Sequence, residues 1–149
     1  MDEDNYRRTY REINELACVF EKAVLHQCCK CHRAKHFNLA ERIGVACTSA
    51  PSQQRCRNFL QIMRRKSVFT LQLPAPESSP LPHAKEIKIQ CGGAIGIQNL
   101  LQNSEGSSER DIDMLLDRAL ENYRGLEALP YDQIVRSVSG YEARKRRKK

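Results

Sequence analysis

The clustering of cysteines is the feature that most restricts what this chain can fold into. Six of the seven cysteines lie within the 39 positions from Cys18 to Cys56. The N-terminus is acidic where a secretory signal would be positive and then apolar, and no run of about 18 apolar residues could span a membrane. We therefore expect a cytoplasmic chain with reduced thiols, a setting that favours metal ligation over disulfides.

Four of these cysteines are predicted metal ligands. Cys28 and Cys31 have the spacing with which a loop holds one metal. Cys47 and Cys56 are separated by eight residues, whereas structural zinc sites usually supply two close pairs. Because a cluster is wider than a single ion and is commonly ligated by thiolates alone, this spacing favours an iron–sulfur cluster over zinc. The predicted ligands are Cys28, Cys31, Cys47 and Cys56, with Cys18 and Cys29 in reserve.

Core packing is a competing interpretation for part of this set. Free cysteine is among the residues most often buried, so Cys18, Cys56 and Cys91 could be small core residues. The loop from 28 to 31 fits that interpretation less well, because a polar loop rich in Lys and His offers thiols nothing to pack against.

Three histidines flank the loop and are the ligands to consider if the metal is zinc. They are His26, His32 and His36. His32 and His36 are four residues apart and would share one face of a helix. The other interpretation is that all three belong to a polar surface around the site.

Hydrophobic periodicity predicts a mostly helical α+β fold: a three-helix metal-binding domain with a two-stranded β-hairpin and a C-terminal helical extension. Helical spacing predicts helices over residues 5–27 and 34–46. A third helix should follow the turn at 48–52, with Pro51 near its first position, and run to about Lys66. Strict alternation predicts strands at 68–73 and 86–91, joined by the proline-rich segment 74–82. Gly92-Gly93 would end the second strand and mark a tight turn or a close backbone approach.

A composition change near residue 103 predicts the main boundary. We expect residues 1–103 to form the cysteine-rich metal-binding domain, and 104–149 to hold a linker, an amphipathic helix and a basic tail. The helix over 109–123 has a continuous apolar stripe that requires a partner surface, so we expect it to bind a protein. A last short helix should run from Pro130 to Gly140.

Positive charge is concentrated in two places. The net charge is +7, but the last six residues carry six positive charges, which leaves the rest of the chain near +1. These two groups are the predicted contacts for nucleic acid or an acidic partner: Arg55, Arg57, Arg64, Arg65 and Lys66 in the third helix, and Arg144, Lys145, Arg146, Arg147, Lys148 and Lys149 in the tail. They could instead offset the charge of a thiolate-bound cluster, or simply face solvent.

Catalytic machinery is not visible in the sequence. No Ser-His-Asp or paired-carboxylate arrangement emerges, and the glycines at 92, 93 and 96 lack the spacing of a phosphate loop. We therefore expect a small non-catalytic metalloprotein with an iron–sulfur cluster, acting in electron transfer or redox-sensitive regulation. The alternatives are a zinc-stabilised nucleic-acid-binding module and a metal-free protein-interaction adaptor.

Overall fold

The computed structural model describes residues 2–73, 81–101 and 110–141. In these ranges the chain forms seven α-helices and one two-stranded antiparallel sheet, which confirms the mostly helical α+β class. The helices are α1 (Glu3–Ile13), α2 (Glu21–Leu25), α3 (Ala50–Lys66), α4 (Val68–Leu71), α5 (His83–Leu100), α6 (Ile112–Asn122) and α7 (Tyr131–Gly140), and the strands are β1 (Ala34–Leu39) and β2 (Arg42–Cys47). A 3₁₀ turn, Leu126–Ala128, precedes α7.

The β-hairpin replaces the predicted second helix, so the prediction of a helix over 34–46 is wrong. The two strands pair in register from Ala34 opposite Cys47 to Leu39 opposite Arg42. The turn between them is Ala40-Glu41, and both residues have positive φ, at 50° and 68°. Tight hairpin turns of this kind usually carry Asn-Gly. Because Ala and Glu favour helices instead, the turn gave no local sign of a hairpin.

The predicted first helix is interrupted, because α1 ends at Ile13 and α2 begins only at Glu21. The residues between them pair with the edge of β2, where Ala17 forms an antiparallel bridge with Ala46. The Asn14 side chain is buried and donates to the Val45 carbonyl at 3.2 Å. Pairing with a distant strand therefore overrides the helical spacing of this segment.

The third predicted helix is confirmed as α3. Ser49 caps its N-terminus by accepting a hydrogen bond from the Ser52 backbone N–H at 3.3 Å, and Pro51 lies in the first turn. One face is buried, with Phe59, Leu60 and Met63 fully enclosed. The capping residues and the apolar stripe were both local signals, which is why this element could be predicted.

The two predicted strands are also helical, so the predicted position of the hairpin is wrong. Residues 68–71 form α4, and 86–91 lie inside α5. α5 packs against α2, α3, α6 and α7 and is buried on nearly every side. Even its polar residues Glu86 and Gln90 are buried. A helix without a solvent face lacks the periodicity that identifies amphipathic helices.

Two glycines let α5 and α7 approach closely, as the sequence had suggested for this glycine-rich stretch. A Cβ on Gly92 would lie 2.4 Å from the Val138 Cα, and one on Gly96 would lie 2.7 Å from the Ile134 carbonyl oxygen. Both contacts are with α7 backbone, so larger residues would push the helices apart.

The C-terminal helices share the buried core with the rest of the chain. The apolar face of α6 is buried through Ile112, Leu115, Leu116 and Ala119 within the same hydrophobic cluster as α3 and α5. The stripe predicted to bind a partner protein thus packs within the chain; binding of a partner through 109–123 stays a prediction, as does a boundary at residue 103. No helix of the described part is long and apolar enough to cross a membrane.

Candidate metal centre

Four separate cysteine-bearing segments meet at one end of the hairpin, and backbone hydrogen bonds join three of them. The Cys18 N–H donates to the Val45 carbonyl at 3.0 Å, and the Cys47 N–H donates to the Leu16 carbonyl at 2.7 Å. Cys47 lies opposite Ala34 in the sheet. The Ala34 N–H in turn donates to the Cys31 carbonyl at 3.0 Å.

The fourth segment is α3, which begins immediately beyond β2. Cys56 is on its buried face, and the side chain of Gln53 on the same helix donates to the Ala17 carbonyl at 3.1 Å. This bond ties α3 to the backbone next to Cys18. Cys56 is buried, whereas Cys18, Cys31 and Cys47 are partly exposed.

Burial and neighbouring charges raise the pKa of three of these thiols, and neighbouring sulfurs contribute for Cys18 and Cys56. Burial raises the pKa of Cys18 to about 12 and that of Cys31 to about 11. For Cys18, the neighbouring sulfurs of Cys31 and Cys47 act in the same direction. Burial also raises the pKa of Cys56, with added contributions from Cys31 and Cys18. In the absence of a metal, such pKa values keep the thiols protonated at neutral pH.

Cys47 is the cysteine at the junction of the sheet and α3. Its thiol donates to the Ser49 carbonyl at 3.2 Å, and its sulfur lies 3.5 Å from the Ser49 backbone N–H. Ser49 is itself the residue that caps α3. The start of the helix therefore fixes the position of this thiol.

Cys28 and Cys29 are buried, with only 6% and 4% of their surface exposed. The prediction that thiols in this loop would have nothing to pack against is therefore wrong. Cys29 lies near Cys18 and Cys31, and burial is the main reason that its pKa is raised. Cys28 instead lies near Cys91 on α5.

Cys28 has an environment unlike that of the other thiols. The interaction with the Cys91 thiol lowers the pKa of Cys28; burial opposes this effect, and the nearby Arg110 charge reinforces it. The Arg110 Nη1 lies 3.9 Å from the Cys28 sulfur and donates to the Cys28 carbonyl at 2.5 Å. Sequence reasoning missed Cys91 and Arg110 as neighbours of Cys28, because they lie 63 and 82 positions away and no local pattern connects them.

Among residues 2–73, 81–101 and 110–141, no three His, Cys, Asp or Glu side chains are arranged to hold a metal ion. Ligation would therefore require the converging thiols to turn toward a common centre.

Comparison with known proteins gave no match to a protein family, a curated sequence or a solved structure.

The flanking histidines are not arranged on a helix, so that part of the zinc interpretation is wrong. His36 is on β1, and His26 is exposed just after α2. His32 contacts carboxylates, with Nδ1 3.1 Å from Asp111 Oδ2 and Nε2 3.5 Å from Asp113 Oδ2. None of these contacts directs an imidazole toward a cysteine.

Residues 110–113 form a strap that holds the cysteine loop, residues 28–31, by hydrogen bonds. The Lys30 N–H donates to the Arg110 carbonyl at 2.7 Å, and the Ile112 N–H donates to the Lys30 carbonyl at 3.0 Å. Asp111 also accepts from the His32 backbone N–H at 2.9 Å and caps α6. Because the strap comes from a distant part of the chain, no local pattern predicts it.

The basic face of α3 is partly neutralised within the protein. Arg55 pairs with Asp113 at 2.6 Å and Asp117 at 2.8 Å, and Arg64 pairs with Glu86 at 2.5 Å. These two arginines hold α3 to α6 and α5. Arg57, Arg65 and Lys66 are exposed. The tail predicted to bind polyanions, residues 144–149, lies outside the described residues, as do 74–80 and 102–109.

Proposed function

We propose that this chain is a small, non-catalytic, cytoplasmic metalloprotein that holds an iron–sulfur cluster on Cys18, Cys31, Cys47 and Cys56. Its role would be electron transfer or redox-sensitive regulation. The observation that carries this proposal is the gathering of four cysteine-bearing segments at one end of the hairpin, three by backbone hydrogen bonds and α3 by the bond from the Gln53 side chain to the Ala17 carbonyl. Four cysteines gathered in this way match the usual ligand number of such clusters.

The choice of a cluster over zinc rests on where the ligands come from. Each thiolate would come from a different segment: the bridge before α2, the loop before β1, the end of β2 and the second turn of α3. A cluster is wider than one ion and can accept ligands spread in this way. Structural zinc sites instead usually take two pairs of closely spaced ligands.

Cys18 replaces Cys28 in the proposed ligand set. The Cys18 backbone is paired to β2 beside Cys47, and its sulfur is influenced by Cys31 and Cys47. Cys28 contacts Arg110 instead and lies near Cys91. Cys29 remains the reserve ligand, because its thiol lies near Cys18 and Cys31.

Metal analysis of the full chain tests the proposal. Protein purified without oxygen should contain iron and acid-labile sulfide and absorb visible light through iron–thiolate transitions. Colourless protein with stoichiometric zinc would overturn the cluster and support a zinc-stabilised module. Protein that stays metal-free after anaerobic purification and reconstitution would overturn metal binding altogether.

Cysteine variants test the ligand set. Cys31→Ser and Cys47→Ser should each lose most of the bound metal, because both residues are proposed ligands and both are partly exposed. Cys91→Ser is the matched control and should keep the metal, since Cys91 lies inside α5 and is not one of the proposed ligands. Unchanged metal content in either ligand variant would remove that residue from the site, and metal loss in Cys91→Ser alone would overturn the assignment.

A further inference from the structure

Phe69 is the most exposed large hydrophobic residue in the part of the chain that the structure describes. It is 96% exposed, whereas the next four are between 40% and 54% exposed: Ile13, Leu25, Ile43 and Met114. Phe69 belongs to α4, which the buried Leu71 anchors to the core. A single exposed apolar residue is ordinary on a protein surface, but an exposed ring that adjoins further apolar surface marks an interaction site.

A groove with a volume of about 590 Å³ lies beside Phe69, between α4 and the start of α7. Thr70, the next residue along the chain, lines one side of it. The Tyr131 hydroxyl donates to the Leu126 carbonyl at 2.8 Å, which holds this ring in place. Pockets of this volume accept drug-sized molecules, so the groove has room for a phenyl ring. Its apolar lining consists of Leu129, Pro130, Tyr131 and Val135.

Charges of both signs line the same groove. Lys66 is a cation, and Glu127 and Asp132 are anions, all three exposed. Within residues 2–73, 81–101 and 110–141, neither the Lys66 nor the Asp132 side chain forms a hydrogen bond or an ion pair. The two carboxylates disfavour a nucleic acid as the occupant, because its phosphates would be repelled. The groove instead requires a partner surface that is itself apolar and carries both signs of charge.

The chain itself has such a surface. An interface with two-fold symmetry brings one surface patch against the same patch of a second copy, so the patch must be complementary to itself. A projecting ring next to an apolar groove meets this condition for shape. An unpaired cation and an unpaired anion in the same groove meet it for charge.

We propose that Phe69 and the adjoining groove, which we call the Phe69 surface, join two copies of this chain in a symmetric dimer. Phe69 of each copy enters the groove of the other copy, and Lys66 of each copy faces Asp132 of the other. Buried aromatic anchors carry much of the binding energy of protein interfaces, and the charge pairs fix the orientation of the two copies. The Phe69 surface contains none of the proposed metal ligands, so the dimer goes beyond the proposed function and does not depend on it.

Sedimentation equilibrium of the full chain tests the dimer. The protein is studied with a reductant, which prevents disulfide-linked dimers, at concentrations up to about 1 mM, where even weak complexes form. We expect a reversible equilibrium between monomer and dimer. Phe69→Ala should raise the dissociation constant of the dimer about tenfold or more. Ile43→Ala is the matched control, because it removes an exposed apolar side chain from the hairpin and should leave the constant unchanged.

Two results would overturn the proposal. One is a wild-type chain that stays monomeric at every concentration. The other is a Phe69→Ala variant that dimerises as strongly as wild type, which would place the contact on another face. Thermal unfolding of the variants shows that the folded state is retained, as expected for a substitution at an exposed position.

A charge exchange tests whether Lys66 and Asp132 meet across the interface. Lys66→Glu and Asp132→Lys each place like charges opposite one another, so each variant alone should dimerise about tenfold more weakly than wild type or worse. An equal mixture of the two variants should associate again, because opposite charges then face each other in both pairs. A mixture that associates no better than the separate variants would overturn the contact between Lys66 and Asp132.

The outcome can be separated from that of the metal proposal. Sedimentation is measured on the protein as purified and again after metal removal by a chelator. The dimer should persist in both samples, and Phe69→Ala should keep the metal content of wild type. A dimer that dissociates on metal removal, with no effect of Phe69→Ala, would overturn the Phe69 surface. Absence of iron and zinc would overturn the metal site and leave the dimer unchanged.

Discussion

Glu86 is a buried carboxylate held by hydrogen bonds from two side chains. Arg64 donates to it through Nη2 at 2.5 Å and Nε at 3.1 Å, and Gln90 donates at 3.1 Å. Burial by itself raises the pKa of Glu86, but these bonds outweigh it and the pKa is lowered. At the residue scale, one carboxylate thus joins α3 to the most buried helix of the fold.

Substitution of Glu86 should make stability depend less on pH. The pKa of Glu86 is lower in the folded protein than in the unfolded chain. Its charge therefore stabilises the fold at pH values above the unfolded pKa, and this stabilisation is lost as the pH falls through the folded pKa. We expect Glu86→Gln to lower the free energy of unfolding at pH 7 by about 1–2 kcal/mol, with a smaller difference from wild type in acid. Urea unfolding of wild type and Glu86→Gln, from pH 7 into acid, measures the difference in the free energy of unfolding.

The matched control is Glu127→Gln. Glu127 is exposed and lies 4.0 Å from an exposed Arg65, so its loss should change stability by less than about 0.5 kcal/mol. A pH-independent effect of Glu86→Gln would show that the charge on Glu86 is not the stabilising feature.

At the element scale, helix contacts are set by residue size where α5 meets α7. Gly92 and Gly96 are one turn apart on α5, and the α7 backbone at Val138 and Ile134 lies against them. The local sequence pattern predicted α7. Its tight contact with α5 requires Gly92 and Gly96, and the need for glycine at these positions arises only when α7 packs against them. The glycines indicated that another part of the backbone comes close, but the sequence did not identify that part as α7.

Gly92→Ala should therefore destabilise the protein. Its Cβ would lie 2.4 Å from the Val138 Cα, and such overpacking costs about 1–3 kcal/mol or more. This outweighs the gain of about 1 kcal/mol that alanine has over glycine in a helix. Urea unfolding should show a net loss of stability.

Gly140→Ala provides the comparison, because in the part of the chain that the structure describes nothing beyond its chain neighbours and its own helix backbone lies within 4 Å of the Cβ it would add. We expect its stability to equal or exceed that of wild type. If Gly92→Ala were as stable as wild type, α5 and α7 could not be packed as closely as described.

At the scale of the whole molecule, the cysteine-rich part and the C-terminal helices share one buried cluster. The salt bridges of Arg55 tie α3 to α6, and the strap at 110–113 holds the cysteine loop. These links connect the hairpin end of the molecule to helices beyond the predicted boundary at 103. We therefore expect the C-terminal helices and the cysteine-rich part to unfold together.

Ile134→Ala should weaken the whole molecule and not α7 alone. Ile134 is 1% exposed, and truncation of a buried isoleucine costs about 2–5 kcal/mol. Urea unfolding should show coincident transitions for helix content, measured by circular dichroism, and for alkylation of Cys56. Ile43→Ala, at an exposed hairpin position, should change stability by about 0.5 kcal/mol or less. Two separate transitions would instead support a division at residue 103.

The sequence by itself determined the helices that have their own capping residues or a continuous apolar stripe. α3 has a serine cap and an apolar stripe, α6 has a continuous stripe, and α7 begins after Pro130 and ends at Gly140. These features depend on neighbours a few residues away, so local reasoning reaches them. The cysteine cluster was visible for the same reason, and its metal remains a proposal.

Tertiary structure decided the rest. The break after Ile13 and the hairpin at 34–47 arise from strand pairing between distant segments. α5 is buried on nearly all sides, so it has no polar face to reveal its period. The separation of Cys28 from the other loop thiols depends on Cys91 and Arg110, far along the chain. Local sequence cannot specify such contacts, because they form only when the core brings the segments together.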